Sequence, residues 1–156
     1  PAIADDHPQL HHASGHDPHA AALHDIGKAE IPLEILDKPG RLTEGELKLI
    51  QTHPRRGFER IVETPELARE IASAVLEHHE FLDGSGYPEG LTGSRIQDVT
   101  RLITISDVYS ALVETRSYRP AISGGDAYRI LMDMADHGKL DKALVRAFRP
   151  LALDAR

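Results

Sequence analysis

Residues 81–93, FLDGSGYPEGLTG, place four glycines and a proline in a short span, so no regular helix or strand can pass through them. The apolar pattern on either side is helical. Leu67, Ile71, Ala74 and His78 form a stripe that runs up to the loop, with Thr64 and Pro65 as its start signal. Beyond the loop, Asp98 is expected to cap a helix through residue 112, with Leu102, Ile105, Tyr109 and Leu112 on its inner face. Thr43 and Glu46 make a T-x-x-E capping box, and the helix they start should run toward Val62, bent or broken at Pro54. AAALHD predicts a short helix stopped by Gly27 at positive φ, and IPLEILDKPG a connector with one helical turn. Further helices fit residues 126–137, ended by Gly138, and 141–148, ended before Pro150. No alternating strand pattern of useful length and no internal repeat occurs. The chain therefore reads as all-α, about five to seven helices over residues 19–156, after an irregular lead-in or helix remnant at residues 1–18.

A chain of 156 residues suits one domain with a real core. Aromatic residues make up only 4% and Trp is absent, so the core must rest on Leu, Ile, Val and Ala. A formal charge of −7 argues against a broad grip on a nucleic-acid backbone, and no DNA partner is expected. A small phosphorylated substrate remains compatible, because local metals and arginines can reverse the potential at one site. There is no Cys, which excludes disulfides, iron–sulfur clusters and thiolate zinc. No apolar run reaches the roughly 20 residues that span a bilayer, and no signal segment opens the chain, so a cytoplasmic location without membrane insertion is expected. Pro1 in place of an initiator Met suggests a fragment of something longer.

The chemistry lies in a few polar residues. His24 and Asp25 are adjacent in ALHDIGK, His53 sits in THPRRG, His78 and His79 open HHEFLDGSGYP, and Asp107 interrupts the apolar LITISDVYSAL. Each alone fits a bland reading: a helix end, a surface histidine, a satisfied core imidazole. A carboxylate on an apolar helix is expensive unless it is paired or metal-bound, and Ser110 and Ala111 one turn on leave room beside it. His78 and His79 can reach one cluster only near a helix end, which is where they lie. Six N and O ligands are too many for one tetrahedral ion with an open position. They suit two divalent ions sharing a carboxylate and a hydroxide, the layout that attacks phosphate esters. Lys28, one turn after His24, could face a substrate phosphate, and Glu80 and Asp83 could orient the imidazoles from behind.

HDIGK, LDKPGRLT, the THPRRG histidine, HHEFLDGSGYPEGL, and DVYSAL with RSYRP together resemble the HD-GYP family over roughly residues 20 to 150. That resemblance implies a helical bundle of the HD superfamily, hydrolysing the bacterial messenger cyclic di-GMP to pGpG or GMP with Fe or Mn ions. It implies metal positions at His24, Asp25, His53, His78, His79 and Asp107, with Asp25 bridging two ions. Lys28 then falls near the scissile phosphate, Tyr87 close to substrate, and Arg116 and Arg119 on phosphate or guanine. Diguanylate cyclases or other signalling proteins are implied as partners of the GYP loop, and a sensing or receiver domain upstream would fit.

Two departures accompany the match. Family members carry further ligands on a helix well upstream of the HD pair, whereas here the preceding residues offer only His7, His11, His12, His16 and His19 in a Pro- and Gly-broken stretch. Ser110 replaces a second Asp of the family's D-x-x-D-A motif. Both favour at most a dinuclear site. They leave open a degenerate domain that binds nucleotide or protein without hydrolysis, and a phosphohydrolase for another nucleotide.

Overall fold

Thr43 begins its helix as the capping box requires: its hydroxyl accepts from Glu46 N at 3.3 Å, and Glu46 Oε2 accepts from Thr43 N at 2.7 Å. The computed structural model describes residues 17–64, 69–115 and 120–154. Within them the helices are α1 (Asp17–Leu23), α2 (Leu33–Leu36), α3 (Glu44–Ile50), α4 (His53–Val62), α5 (Arg69–Glu77), α6 (Asp98–Val113), α7 (Gly124–Asp136) and α8 (Lys142–Asp154). Seven of these have at least seven residues and α2 is a single turn, so the all-α bundle is as expected. Among the described residues there is no strand, only an isolated bridge between Asp83 and Thr92. The lead-in before residue 17, Pro65 and Leu67 lie outside the described residues.

Several boundaries differ from the sequence expectation, each for a local reason. Pro54 does not bend one long helix. It occupies the first turn of a new one, where its missing N–H costs nothing, and this sets His53 at the start of α4. Gly27 is not a positive-φ stop; it lies inside a 3₁₀ turn, Ile26–Glu30, pressed against the backbone of α4. Gln97, not Asp98, is the cap of α6, and Asp98 sits exposed in the first turn beside Arg101. Leu102 is 41% exposed, so the inner face of α6 is instead Thr100, Ile103, Thr104, Ile105 and Tyr109.

Helix α8 continues through Pro150 where an end was expected. An interior proline costs a helix about 3 kcal/mol or more. The turn beyond it holds fully buried Ala152, whose carbonyl accepts from Tyr109 Oη at 2.9 Å, while Tyr109 packs edge-on against Phe148. Burial of this turn against α6 offsets the lost hydrogen bond. Gly138, at φ +78, ends α7 as expected.

The core has two parts. Ile105, Tyr109, Ala127, Leu131 and Val145 join α6, α7 and α8; Ala20, Ile61, Ile71, Val75 and Ile103 join α1, α4, α5 and α6. Helix α6 belongs to both, and Asp107 on it reaches His24 after α1 and His79 after α5. No helix among the described residues is long and apolar enough to cross a membrane.

Candidate metal centre

His78 and His79 occupy the turn that follows α5, so two adjacent rings can face one centre. Ile71, Ala74 and His78 are all buried, completing the stripe up to the loop. Thr104 Oγ1 donates to the His78 carbonyl at 2.9 Å and thereby fixes this turn against α6. His24 and Asp25 follow the end of α1, and His53 opens α4. The two groups that result are His53, His78 and His79, and His24, Asp25 and Asp107, with the ligating atoms of each within 4.8 Å of one another. All six expected ligand positions are thus brought together.

Three rings are aimed the same way. Nδ1 of His24, His53 and His78 lies 2.7, 2.8 and 2.7 Å from the carbonyls of Ala21, Ile50 and Val75, three residues back in each case. A carbonyl only accepts, so each Nδ1 carries a proton, and a neutral ring held this way keeps its lone pair on Nε2. The lone pairs of His53 and His78 then meet at 3.1 Å, with Asp25 Oδ1 at 3.3 and 3.8 Å. Among the described residues, Asp25 Oδ1 is the buried side-chain atom left without a hydrogen-bond partner. Three acceptors with no proton between them repel unless a cation joins them. Spacings just above 3 Å are what donors have when each lies about 2.1 Å from one shared ion. The residues present therefore fit a divalent metal.

Asp25 serves both groups. Its Oδ2 lies 3.5 Å from His24 Nε2 and 2.6 Å from Lys28 Nζ, while His24 Nε2 is 3.7 Å from Asp107 Oδ1. Asp107 Oδ2 is 3.8 Å from His79 Nδ1. Burial pushes the Asp25 carboxyl up, while the Lys28 ammonium at its Oδ2 draws it below the usual carboxylate range. Burial likewise raises Asp107, and His24 beside it brings it below normal. Burial depresses His78 to about 3 and His79 to about 4. Both imidazoles are neutral at pH 7, as metal ligands must be.

Beside the second group opens a cleft of about 510 Å³. Its lining combines the polar His24, Asp25, Lys28, Ser106, Asp107, Ser110 and Glu114 with the apolar Val99, Leu102 and Ile103. Tyr87 stacks on His79 at 4.7 Å between ring centroids, tilted by 25°.

The HD domain family model matches residues 6–144. The chain belongs to this family, in its HD-GYP branch. The domain is 39% identical over 137 residues to the cyclic di-GMP phosphodiesterase response regulator RpfG of Xanthomonas campestris, covering 87% of this chain and 34% of RpfG. It is 42% identical over 121 residues to the 3'3'-cGAMP-specific phosphodiesterase 1 of Vibrio cholerae, covering 76% of this chain and 27% of that protein. The chain thus spans about a third or less of these relatives. Bd1817, a HDG"Y"P protein from Bdellovibrio bacteriovorus, shares the fold at a TM-score of 0.66 and 20% identity, over 85% of this chain and 41% of that one.

Not every expected site residue of the HD-GYP domain lies where the sequence put it. Arg116 and Arg119 fall outside the described residues. Glu80 does not orient imidazoles: its carboxylate accepts from the backbone of Glu89, Gly90 and Leu91. Asp83 is also turned away, accepting from Ser85 N and Oγ at the exposed side of the loop. Backbone carbonyls orient His24, His53 and His78 instead, while His79 is backed by the Tyr87 ring. Arg55 pairs with Glu89 of the loop, and no local pattern announces a partner so distant in sequence.

The depressed histidines make a prediction for the protein held in chelator. Between pH 6.5 and 5 the unfolded chain protonates His78 and His79 and the folded one does not, so stability falls as pH falls. His24, raised chiefly by Asp107, contributes stability that is fully present below its unfolded value, so it adds no slope in this window. Asp25 and Asp107, both lowered, lose their contribution only below about pH 4. Urea titrations should show a loss of about 2–4 kcal/mol from pH 6.5 to 5. A flat or rising profile would contradict the burial of neutral rings.

Proposed function

We propose that this domain is a divalent-metal-dependent phosphodiesterase of bacterial signalling, opening the 3'3'-phosphodiester ring of cyclic di-GMP to give pGpG or GMP. The observation that carries the reading is the meeting of His53 Nε2, His78 Nε2 and the orphaned Asp25 Oδ1 without a proton among them. His24, Asp25, His53, His78, His79 and Asp107 would hold two ions, Fe or Mn by the N/O donor set, with Asp25 shared. Bound there, the ions supply a nucleophile drawn from water and positive charge for the phosphoryl oxygens.

The chain's own residues account for the rest. Lys28 stands at Asp25 Oδ2 on the wall of the cleft, placed to meet a phosphate oxygen. Ser106 and Ser110 add hydroxyls to the lining, and Val99, Leu102 and Ile103 give it apolar surface for ribose or base. Burial and the nearby Asp107 keep the Tyr87 phenol neutral, so it serves as a ring surface and hydrogen-bond donor.

Relatives at similar identity are named for cyclic di-GMP and for 3'3'-cGAMP, so both cyclic dinucleotides belong in the test. Protein loaded with Mn(II) or anaerobic Fe(II) should retain two ions per chain and release linear product, followed by chromatography. Binding of cyclic dinucleotide without product would mark a degenerate binding module, and failure to retain metal would overturn the proposal.

A further inference from the structure

Glu80 is 2% exposed, yet it is an acid in a loop of an acidic protein. Its two oxygens accept three successive backbone amides from across the GYP loop: Glu89 N at 2.6 Å and Gly90 N at 3.1 Å on Oε1, Leu91 N at 2.9 Å on Oε2. The loop is also pressed directly on the segment that carries Glu80. A β-carbon at Gly86 would lie 2.5 Å from Glu80 Cα, the His79 carbonyl oxygen and Phe81 N. Tyr87 N donates to the same His79 carbonyl at 3.2 Å, and its ring stacks on the His79 imidazole. One short stretch, His79 to Phe81, thus presents a candidate ligand and receives the loop.

We propose that Glu80 is the positioning residue of the GYP loop: by holding the 89–91 amides it sets Tyr87 face-on against His79 beside the metal centre. The proposal rests on the phosphodiesterase reading for what Tyr87 meets, but not for the fastening of the loop itself. The alternative fastening, Arg55 to Glu89, is an exposed ion pair and holds little. Charge-assisted bonds to a buried carboxylate are about twice as strong as neutral ones. Glu80 therefore dominates the loop's position and Arg55 trims it.

The test is Glu80→Gln. Glutamine has one acceptor oxygen where glutamate has two, so it turns an N–H₂ group toward an N–H and leaves part of the amide triplet without an acceptor. Hydrogen exchange at Glu89, Gly90 and Leu91 should accelerate about 10- to 100-fold, while the amides of α5 and α6 keep their wild-type protection. Metal content should remain at the wild-type count. KM for cyclic di-GMP should rise about tenfold, and in a Tyr87→Ala background the same substitution should add less than about twofold, because both act through one ring position. Arg55→Ala should change loop exchange by less than about threefold.

Loss of metal in the Glu80→Gln variant would overturn the proposal by placing Glu80 behind the ligands. Unchanged loop exchange, exchange that rises equally in α5 and α6, or multiplying losses in the double variant would also overturn it. A wild-type protein that turns over no cyclic dinucleotide would sink the phosphodiesterase reading instead, and the exchange and metal measurements would still decide the role of Glu80.

Discussion

On the proposed reading, an Asp25→Asn variant is expected to lose both metal ions together and, with them, at least about 10³-fold in cyclic di-GMP turnover, since metal charge stabilisation is worth several kcal/mol. The reason is the division of labour between its two oxygens. Oδ1 faces the lone pairs of His53 and His78, and Oδ2 faces His24 and Lys28. Asparagine keeps the shape but turns one of these atoms into a donor, and it removes the negative charge that both positions share. His24→Asn, by contrast, touches one group and should cost one ion first. Elemental analysis of the purified variants, beside circular dichroism to check helix content, separates the two outcomes. Retention of two ions by a folded Asp25→Asn protein would rule out the bridging role.

Gly27→Ala should be strongly damaging for a single added methyl group. The new β-carbon would overlap the His53 carbonyl oxygen and stand 2.6 Å from Gly57 N and 2.9 Å from the His53 carbonyl carbon. All three are backbone atoms, so no side chain can swing aside. The 3₁₀ turn must lift from α4, which separates Asp25 from His53 and opens the contact between α1 and the second core. A loss of about 3 kcal/mol or more is expected, lowering the melting temperature by roughly 10 °C. Gly45→Ala provides the comparison: a β-carbon there meets nothing within 4 Å, and replacing a helical glycine should stabilise by up to about 1 kcal/mol. A Gly27→Ala variant that melts with the wild type would show that the two backbones are not in contact.

The polar half of this architecture was legible in the sequence because its signals are local. A capping box, a histidine pair abutting a glycine loop and an aspartate on an apolar helix each announce themselves within a few residues. What stayed hidden depends on contacts far apart in the chain. Glu80 reads as a neighbour of the imidazoles until the loop folds back and its carboxylate meets amides about ten residues later. Gly27 reads as a helix stop until α4 arrives against it. Pro150 reads as a terminator because its cost is local, whereas the packing of Ala152 and Tyr109 that offsets it comes from another helix. Leu102 follows the helical period yet lines the open cleft and stays 41% exposed.

The three imidazoles held by carbonyls of their own turns have a consequence for how such a centre can change. In many metalloproteins a supporting aspartate or glutamine can be exchanged to retune a ligand's basicity or angle. Here the chain's own peptide groups play that part for His24, His53 and His78, and substitution cannot delete a peptide oxygen. Drift in such a lineage must therefore go through the ligands themselves or through the termini of the helices that carry them. The aim of the rings is inherited with the fold, and a domain of this kind can lose its metals far more easily than it can adjust them.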